Sequence, residues 1–366
     1  MLKNNWPIIF LIGVWVVVVV TNYLPGTWLT GWDNLHPEFN FPVNITRSLF
    51  AVWQEYQGLG LLGGMGHAAA LPRELILSVA SLFLPANMLR YFWTFAMLLI
   101  GPLGVYFLLE KGVLRGKKLA ATFGGIFYLL NLATMQTFYF PFEAFVTHYA
   151  FLPWLLFLAI KLLRKADRRS ILVFAVVNLL SVSQGYIPTL FMVYLLALAF
   201  FICKGKVKNI LVILATTFVI NAFWLLPFFY FTSQNSAVVV EAKINQMATE
   251  NALLQNKQFG DILNVAILRG FWFNSNDFGQ FVLAPWRDHF QNPVVWGVGL
   301  GVFGLVLLGI FASFKARNSY RWELFGVFCL GFTILANATP IFSGIDGLLY
   351  KLPLVSQIFR FPFTKF

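Results

Sequence analysis

Asp33 lies just past the first long apolar run, in Trp28-Leu29-Thr30-Gly31-Trp32-Asp33-Asn34-Leu35-His36-Pro37-Glu38, with two tryptophans leading into it. Tryptophan at this level anchors a chain at the membrane–water interface. A carboxylate partly desolvated by such neighbours gains proton affinity and can serve as a general base. The same spacing suits a solvated loop aspartate that caps the next helix. A second acid stands at the edge of another apolar run, in Phe140-Pro141-Phe142-Glu143-Ala144-Phe145-Val146-Thr147-His148. Ionisable groups at membrane level are functional candidates by default, and Glu143 and His148 are otherwise helix caps. The chain ends Gln357-Ile358-Phe359-Arg360-Phe361-Pro362-Phe363-Thr364-Lys365-Phe366. There the planar fork of Arg360 suits phosphate oxygens and Lys365 adds a point charge. The alternative is a pair of cations snorkelling to an interface.

These residues are framed by elements that must sit in a bilayer. Hydrophobic residues make up 59% of the 366, and charged residues only 11%, a balance outside that of soluble domains. A spanning helix needs about 20 mostly apolar residues. About nine segments meet that: 6–24, 86–109, 119–138, 145–163, 171–186, 187–203, 210–231, 294–314 and 324–342. The fold class is therefore an all-α integral membrane protein, a polytopic bundle. The first run is too long for a secretory signal core, and Leu24-Pro25-Gly26 is a poor cleavage site, so it reads as a retained helix. Cys203 and Cys329 have no metal-ligand spacing and read as packing residues. Gly297 and Gly301, with Gly299 and Gly304 nearby, suit close helix packing.

Charge sets the orientation. Fifteen of the 26 lysines and arginines fall in four clusters between apolar runs: 111–118, 161–169, 204–208 and 315–321. Basic residues in short loops stay on the cytoplasmic side. With Lys3, that side holds 16 basic residues against three acids, Glu110, Asp167 and Glu323. The net charge of +12 is thus a topology signal rather than a nucleic-acid footprint. The expected arrangement is a multi-pass protein of the plasma membrane with a cytoplasmic N-terminus. Large external loops follow at 25–85 and 232–293, and 343–366 is external too.

Within the first loop, 45–56 reads as a helix lying on the membrane, with Ile45, Leu49, Val52, Trp53 and Tyr56 on one face. A glycine-rich link containing Gly58, Gly60, Gly63, Gly64 and Gly66 matches no phosphate-loop pattern and reads as a hinge. A second short apolar segment, 71–84, closes at Pro85.

The first helix followed by Gly31-Trp32-Asp33, the two surface helices, and Phe359-Arg360-Phe361-Pro362-Phe363-Thr364-Lys365-Phe366 together resemble the polytopic GT-C glycosyltransferases that use polyprenyl-phosphate sugars. The likeness is closest to the membrane module of bacterial arabinofuranosyltransferase-like proteins, and Leu268-Arg269-Gly270-Phe271-Trp272 has a similar flavour. It covers most of the chain as topology and only these motifs as sequence. The resemblance implies one GT-C-like module over 1–366, with membrane lipids around it. It implies inverting transfer of a sugar from a polyprenyl-phosphate donor to a cell-envelope glycan or lipid acceptor on the external or periplasmic face. It places the catalytic base on Asp33. Many members have a second acid close by, and the nearest here is Glu38, five residues on and past a proline. Cations near the donor phosphate would be Arg360 and Lys365, then Arg47 and Arg73. Some relatives use a divalent metal ion, for which this sequence shows no compact acidic cluster on the outer face.

The competing reading is a transporter or flippase for a lipid-linked or polysaccharide substrate. Transporters carry charges near mid-bilayer, often in repeated halves, whereas here the span centres are nearly free of ionisable residues and no repeat is visible. A membrane scaffold is a third reading, since fold does not fix function. The stop at Phe366, straight after the tail motif, reads as the end of a truncated protein.

Overall fold

A computed structural model describes residues 2–31, 36–54, 61–62, 65–240, 257–274, 276–277, 279–352, 358–359 and 362–366. The first helix, α1 (Leu2–Asn22), is followed by a 3-10 turn (Pro37–Phe39) and α2 (Phe41–Leu49). A two-residue ribbon, β1 (Trp53–Gln54) with β2 (Leu61–Leu62), leads to α3 (Met65–Ala80) and α4 (Ala86–Phe107). α4 continues as a π-helix over Leu108–Val113. Next come α5 (Lys118–Leu130), α6 (Leu132–Tyr139), α7 (Glu143–Arg164), α8 (Arg168–Ser181), a 3-10 turn (Val182–Tyr186), α9 (Pro188–Ile202) and α10 (Val207–Val240). Beyond lie α11 (Ile262–Ala266), a second small ribbon of β3 (Asn276–Asp277) and β4 (Gln280–Phe281), α12 (Ala284–His289), α13 (Pro293–Lys315), α14 (Arg321–Leu335) and α15 (Pro340–Tyr350). The chain forms two compact units, one of Met1–Leu130 with Phe138–Ser236 and one of Asn131–Thr137 with Ala237–Phe366.

Six helices among the described residues are long and apolar enough to cross a membrane, or eight if α5 with α6 and α14 with α15 each count as one broken span. That is fewer than the nine read from the sequence. The missing one is α9, whose 15 residues fall short of a bilayer core. The last expected span stops at Leu335, and α15 leaves at 84°. The four basic clusters lie at the α4–α5, α7–α8, α9–α10 and α13–α14 connections, in the turns and in the helix ends that flank them.

The surface-helix reading of 45–56 also shifts. Asn40 caps α2 from four residues earlier, its side chain accepting from the Val43 amide, and α2 ends at Leu49. Trp53 belongs to a ribbon instead, and Tyr56 lies outside the described residues. α3 begins six residues before the expected 71 and includes Gly66 from the supposed hinge. The other four glycines of that link lie outside the described residues.

The core of the first unit is the packing of α4 against α7 and α5. Gly101 and Gly104 allow it: a Cβ on Gly101 would meet the Tyr149 ring at 2.5 Å, and one on Gly104 would meet Trp154 at 2.7 Å. Pro153 inside α7 has no amide hydrogen, which leaves the Tyr149 carbonyl one turn earlier without its helical donor. The Tyr128 hydroxyl fills that gap at 2.9 Å, and the Tyr149 hydroxyl donates back to the Tyr128 carbonyl at 2.9 Å. The two rings stack at 4.3 Å. A helix break dictated by sequence is thus repaired by a cross-helix pair. By contrast, a Cβ on Gly297 or Gly301 of α13 would meet open space, so that spacing makes no contact among the described residues. Gly299 is the packed one, against Ile267.

Candidate functional site

Three buried charges and a partly buried one meet in the first unit, at the helix ends opposite the basic turns. Glu38 comes from the 3-10 turn, held by Pro37 at its first position, where a missing amide hydrogen costs nothing. Arg73 lies on α3, Arg90 in the second turn of α4, and Glu143 opens α7, where the helix dipole favours a carboxylate. Arg90 is the hub. Its Nε lies 3.2 Å from Glu38 Oε1, and its Nη1 lies 2.8 Å from Glu143 Oε1. Arg73 Nη1 approaches the same Glu143 oxygen at 2.9 Å. His36 joins at the rim, its Nδ1 3.1 Å from Glu38 Oε1 and 3.2 Å from Arg90 Nη2. Arg73, Arg90 and Glu38 are 3%, 5% and 8% exposed. Charges so far from water persist only when matched in sign and number, and here two guanidinium groups face two carboxylates.

A second acid–hydroxyl pair stands beside this quartet. Ser48 on α2 donates to Glu74 Oε2 at 2.7 Å, tying α2 to α3. Burial raises the Glu74 carboxyl above its usual range, against the pull of the Ser48 hydrogen bond and the Arg73 charge. In the first turn of α3, His67 lies edge-on to Tyr186, and burial together with the Arg47 charge lowers its proton affinity. Two small cavities flank the Arg73–Glu143 pair. One is lined by Glu38, Arg90, Trp93 and Thr94, the other by Ala70, Ser183 and Tyr186. Each has room for about one water molecule.

The residues singled out in the sequence therefore divide. Glu38, Glu143 and Arg73 are brought together. In both acids, Oε1 is engaged by arginine, so either would have to release an arginine to take a proton there. Asp33 and Arg360 lie outside the described residues. Arg47 sits in the last turn of α2. His148 is a core residue, its Nδ1 2.7 Å from Gln184 Oε1, in a hydrogen-bonded row continuing to Ser181. Lys365 donates to the Ile358 carbonyl at 3.3 Å. Arg90, His36 and Glu74 were not anticipated. Arg90 carried a usable signal, because an arginine inside an apolar helix faces protein rather than lipid.

In the second unit the two remaining motifs meet. Phe363 and Phe366 of the tail pack on Val265, Leu335 and Ala336. A Cβ on Gly270 would meet the Phe363 Cβ at 3.2 Å and Gln136 Oε1 at 2.5 Å. α11 ends just before, in a Schellman turn: the Leu268 amide donates to Val265 and the Arg269 amide to Asn264. Glycine ordinarily takes the left-handed position of such a turn. Here Leu268 takes it, at φ +59°, at a cost of about 1–2 kcal/mol.

Among the described residues, no group of three His, Cys, Asp or Glu side chains could hold a metal ion. Glu38 and Glu143 are taken by arginines, so the divalent ion used by some GT-C proteins finds no donor set there. No family model and no curated protein matches the sequence.

Proposed function

We propose that this chain is a GT-C-type glycosyltransferase of the plasma membrane, with a cytoplasmic N-terminus and its active face outside. It would move a sugar from a polyprenyl-phosphate donor to a glycan or lipid acceptor, with inversion. The observation that supports the reading is the Glu38–Arg90–Glu143–Arg73 quartet. It fastens the residues that follow Asp33 to three helices, as a loop bearing a catalytic base requires. On this reading Asp33 takes the proton from the acceptor hydroxyl as that oxygen bonds to the anomeric carbon. The bond from that carbon to the phosphate oxygen breaks, and the electron pair leaves with the polyprenyl phosphate. Arg360 and Lys365 would stabilise the charge that develops there. Glu38 and Glu143 then act as positioning residues, holding arginines and loop rather than moving protons.

The test is transfer from a radiolabelled polyprenyl-phosphate sugar by the purified chain. Asp33→Asn keeps shape without basicity and should lower transfer about 100- to 10,000-fold with insertion intact. Near-normal transfer by the variant removes Asp33 from the mechanism. The transporter or flippase reading draws on the same buried charges, which also occur in substrate pathways. Flux across liposomes without glycosidic product would establish it instead.

A further inference from the structure

We propose that three basic connections of the first unit form one surface that binds the headgroups of anionic phospholipids in the adjoining leaflet. The inference rests on the chain spanning a membrane and not on sugar transfer.

The three are the α4–α5, α7–α8 and α9–α10 connections, far apart in sequence and gathered by the C-terminal end of α7. Arg164 in its last turn donates from Nη1 to the Lys111 carbonyl at 3.0 Å and from Nη2 to the Gly112 carbonyl. Those bonds fasten α7 to the π-helix that ends α4. One residue earlier, the Leu163 carbonyl accepts from the Asn209 side chain at 2.9 Å, which fastens α7 to the first turn of α10. Gly205 permits that approach, since a Cβ there would collide with the Leu163 side chain. The α7–α8 connection follows α7 directly, and Asp167 caps α8 by accepting from the Ser170 amide at 2.8 Å. Packed helix axes lie about 8–10 Å apart, so the three connections stand within about one Debye length of one another.

Together they carry twelve basic residues against two acids, Glu110 and Asp167. Each contributes two exposed cations: Arg115 and Lys117, Arg168 and Arg169, Lys206 and Lys208. The side chains of these six make no hydrogen bond or ion pair among the described residues. Asp167 is already engaged by the Ser170 amide, with Lys165 at 3.6 Å. Retention of basic loops on one side of a membrane acts on each loop by itself and needs no contact between loops. Hydrogen bonds that gather three such loops bring like charges together, and an anionic partner relieves the repulsion.

The elements being joined name the partner. α4 with its π-helix, α7, α8 and α10 are four of the six helices long and apolar enough to cross a membrane. Connections at their ends lie at headgroup level, where each lysine or arginine raises affinity for an anionic surface about fivefold. A soluble polyanion would have to compete there with phosphates already in place.

The full chain in dodecyl maltoside is titrated with dioleoyl phosphatidylglycerol or dioleoyl phosphatidylcholine, and native mass spectrometry counts the bound lipids. The wild type should prefer phosphatidylglycerol by more than about 25-fold in about 50 mM salt and lose most of that preference in about 500 mM. Arg168→Gln with Arg169→Gln, and separately Lys206→Gln with Lys208→Gln, should each weaken phosphatidylglycerol binding about 5- to 25-fold and leave phosphatidylcholine unchanged. Lys315→Gln with Arg317→Gln, in the fourth cluster and the other unit, should leave the tightest phosphatidylglycerol in place. If the glutamine variants fail to fold, the wild-type preference and its salt dependence decide alone. Equal binding of the two lipids by the wild type overturns the proposal, and so does a loss as large in the fourth-cluster variant. Release of the bound phosphatidylglycerol by an oligoglutamate peptide at equal concentration assigns the surface to a soluble acidic partner, and likewise overturns it.

Discussion

Removing Arg90 alone should destabilise the first unit at least as much as removing it together with Glu38. The Glu38 side chain is 2% exposed, with Arg90 Nε at 3.2 Å and the His36 ring at 3.1 Å. Unit charges about 4 Å apart at an effective dielectric near 20 attract by about 4 kcal/mol. Arg90→Met deletes that attraction and leaves Glu38 buried beside a ring that is charged only when protonated. Glu143 fares better, since Arg73 still holds it at 2.9 Å. The expected cost is about 3–5 kcal/mol, the range for an uncompensated buried charge. Glu38→Gln alone should cost about 2 kcal/mol, because Arg90 keeps Glu143. The double variant strands no charge and should cost less than the two single variants added together, by about 2–3 kcal/mol. The assay is equilibrium unfolding in dodecyl maltoside with increasing dodecyl sulfate, run on all four proteins. Additivity within about 0.5 kcal/mol would mean that the two residues act independently, and the quartet would not be the fastener of the first loop.

Glu74 makes the first unit pH-sensitive. Its folded-state affinity for a proton is raised above the ordinary glutamate value of 4.5, so its contribution is fully present below that value and is lost as pH rises through the higher folded one. Melting curves of wild type and Glu74→Gln should diverge over that interval, with the wild type losing ground as pH rises, and parallel curves would refute the assignment. In a background lacking Cys203 and Cys329, a single cysteine at Asn34 or Asn256 should react with an impermeant reagent from outside, whereas one at Gly116 should not. Labelling of Gly116 alone would invert the orientation and with it the proposed active face.

The helices were legible because their signals are long. An apolar run of about 20 residues needs no tertiary context, and neither does a cluster of lysines and arginines in a short turn. Errors arose where a local feature overruled the run. Hydropathy bridges Ala336–Thr339 easily, yet α14 stops before it and Pro340 starts a new helix in another direction. Periodicity carried a helix through Trp53, whereas the Asn40 cap had already set an earlier start, and α2 ends at Leu49. The glycine spacing of α13 was read as a contact face without knowing which helix would arrive. The residue that did arrive, Ile267, chose the glycine between the expected two.

The site was legible as separate residues and not as a group. Glu38, Arg73 and Glu143 each drew notice, the first two through resemblance and the third through its place at a helix end. Their meeting depends on Arg90, which composition hides inside an apolar helix. A single arginine there is hard to tolerate alone, and it requires that carboxylates be delivered to it from elsewhere in the chain. That requirement reverses the order of inference. The buried cation is the premise, and the two acids follow from it as the groups that neutralise it. Acids found this way belong first to the architecture of the first loop. On the transferase reading the proton-accepting role is assigned to Asp33, on which the resemblance places it, rather than to either acid of the quartet.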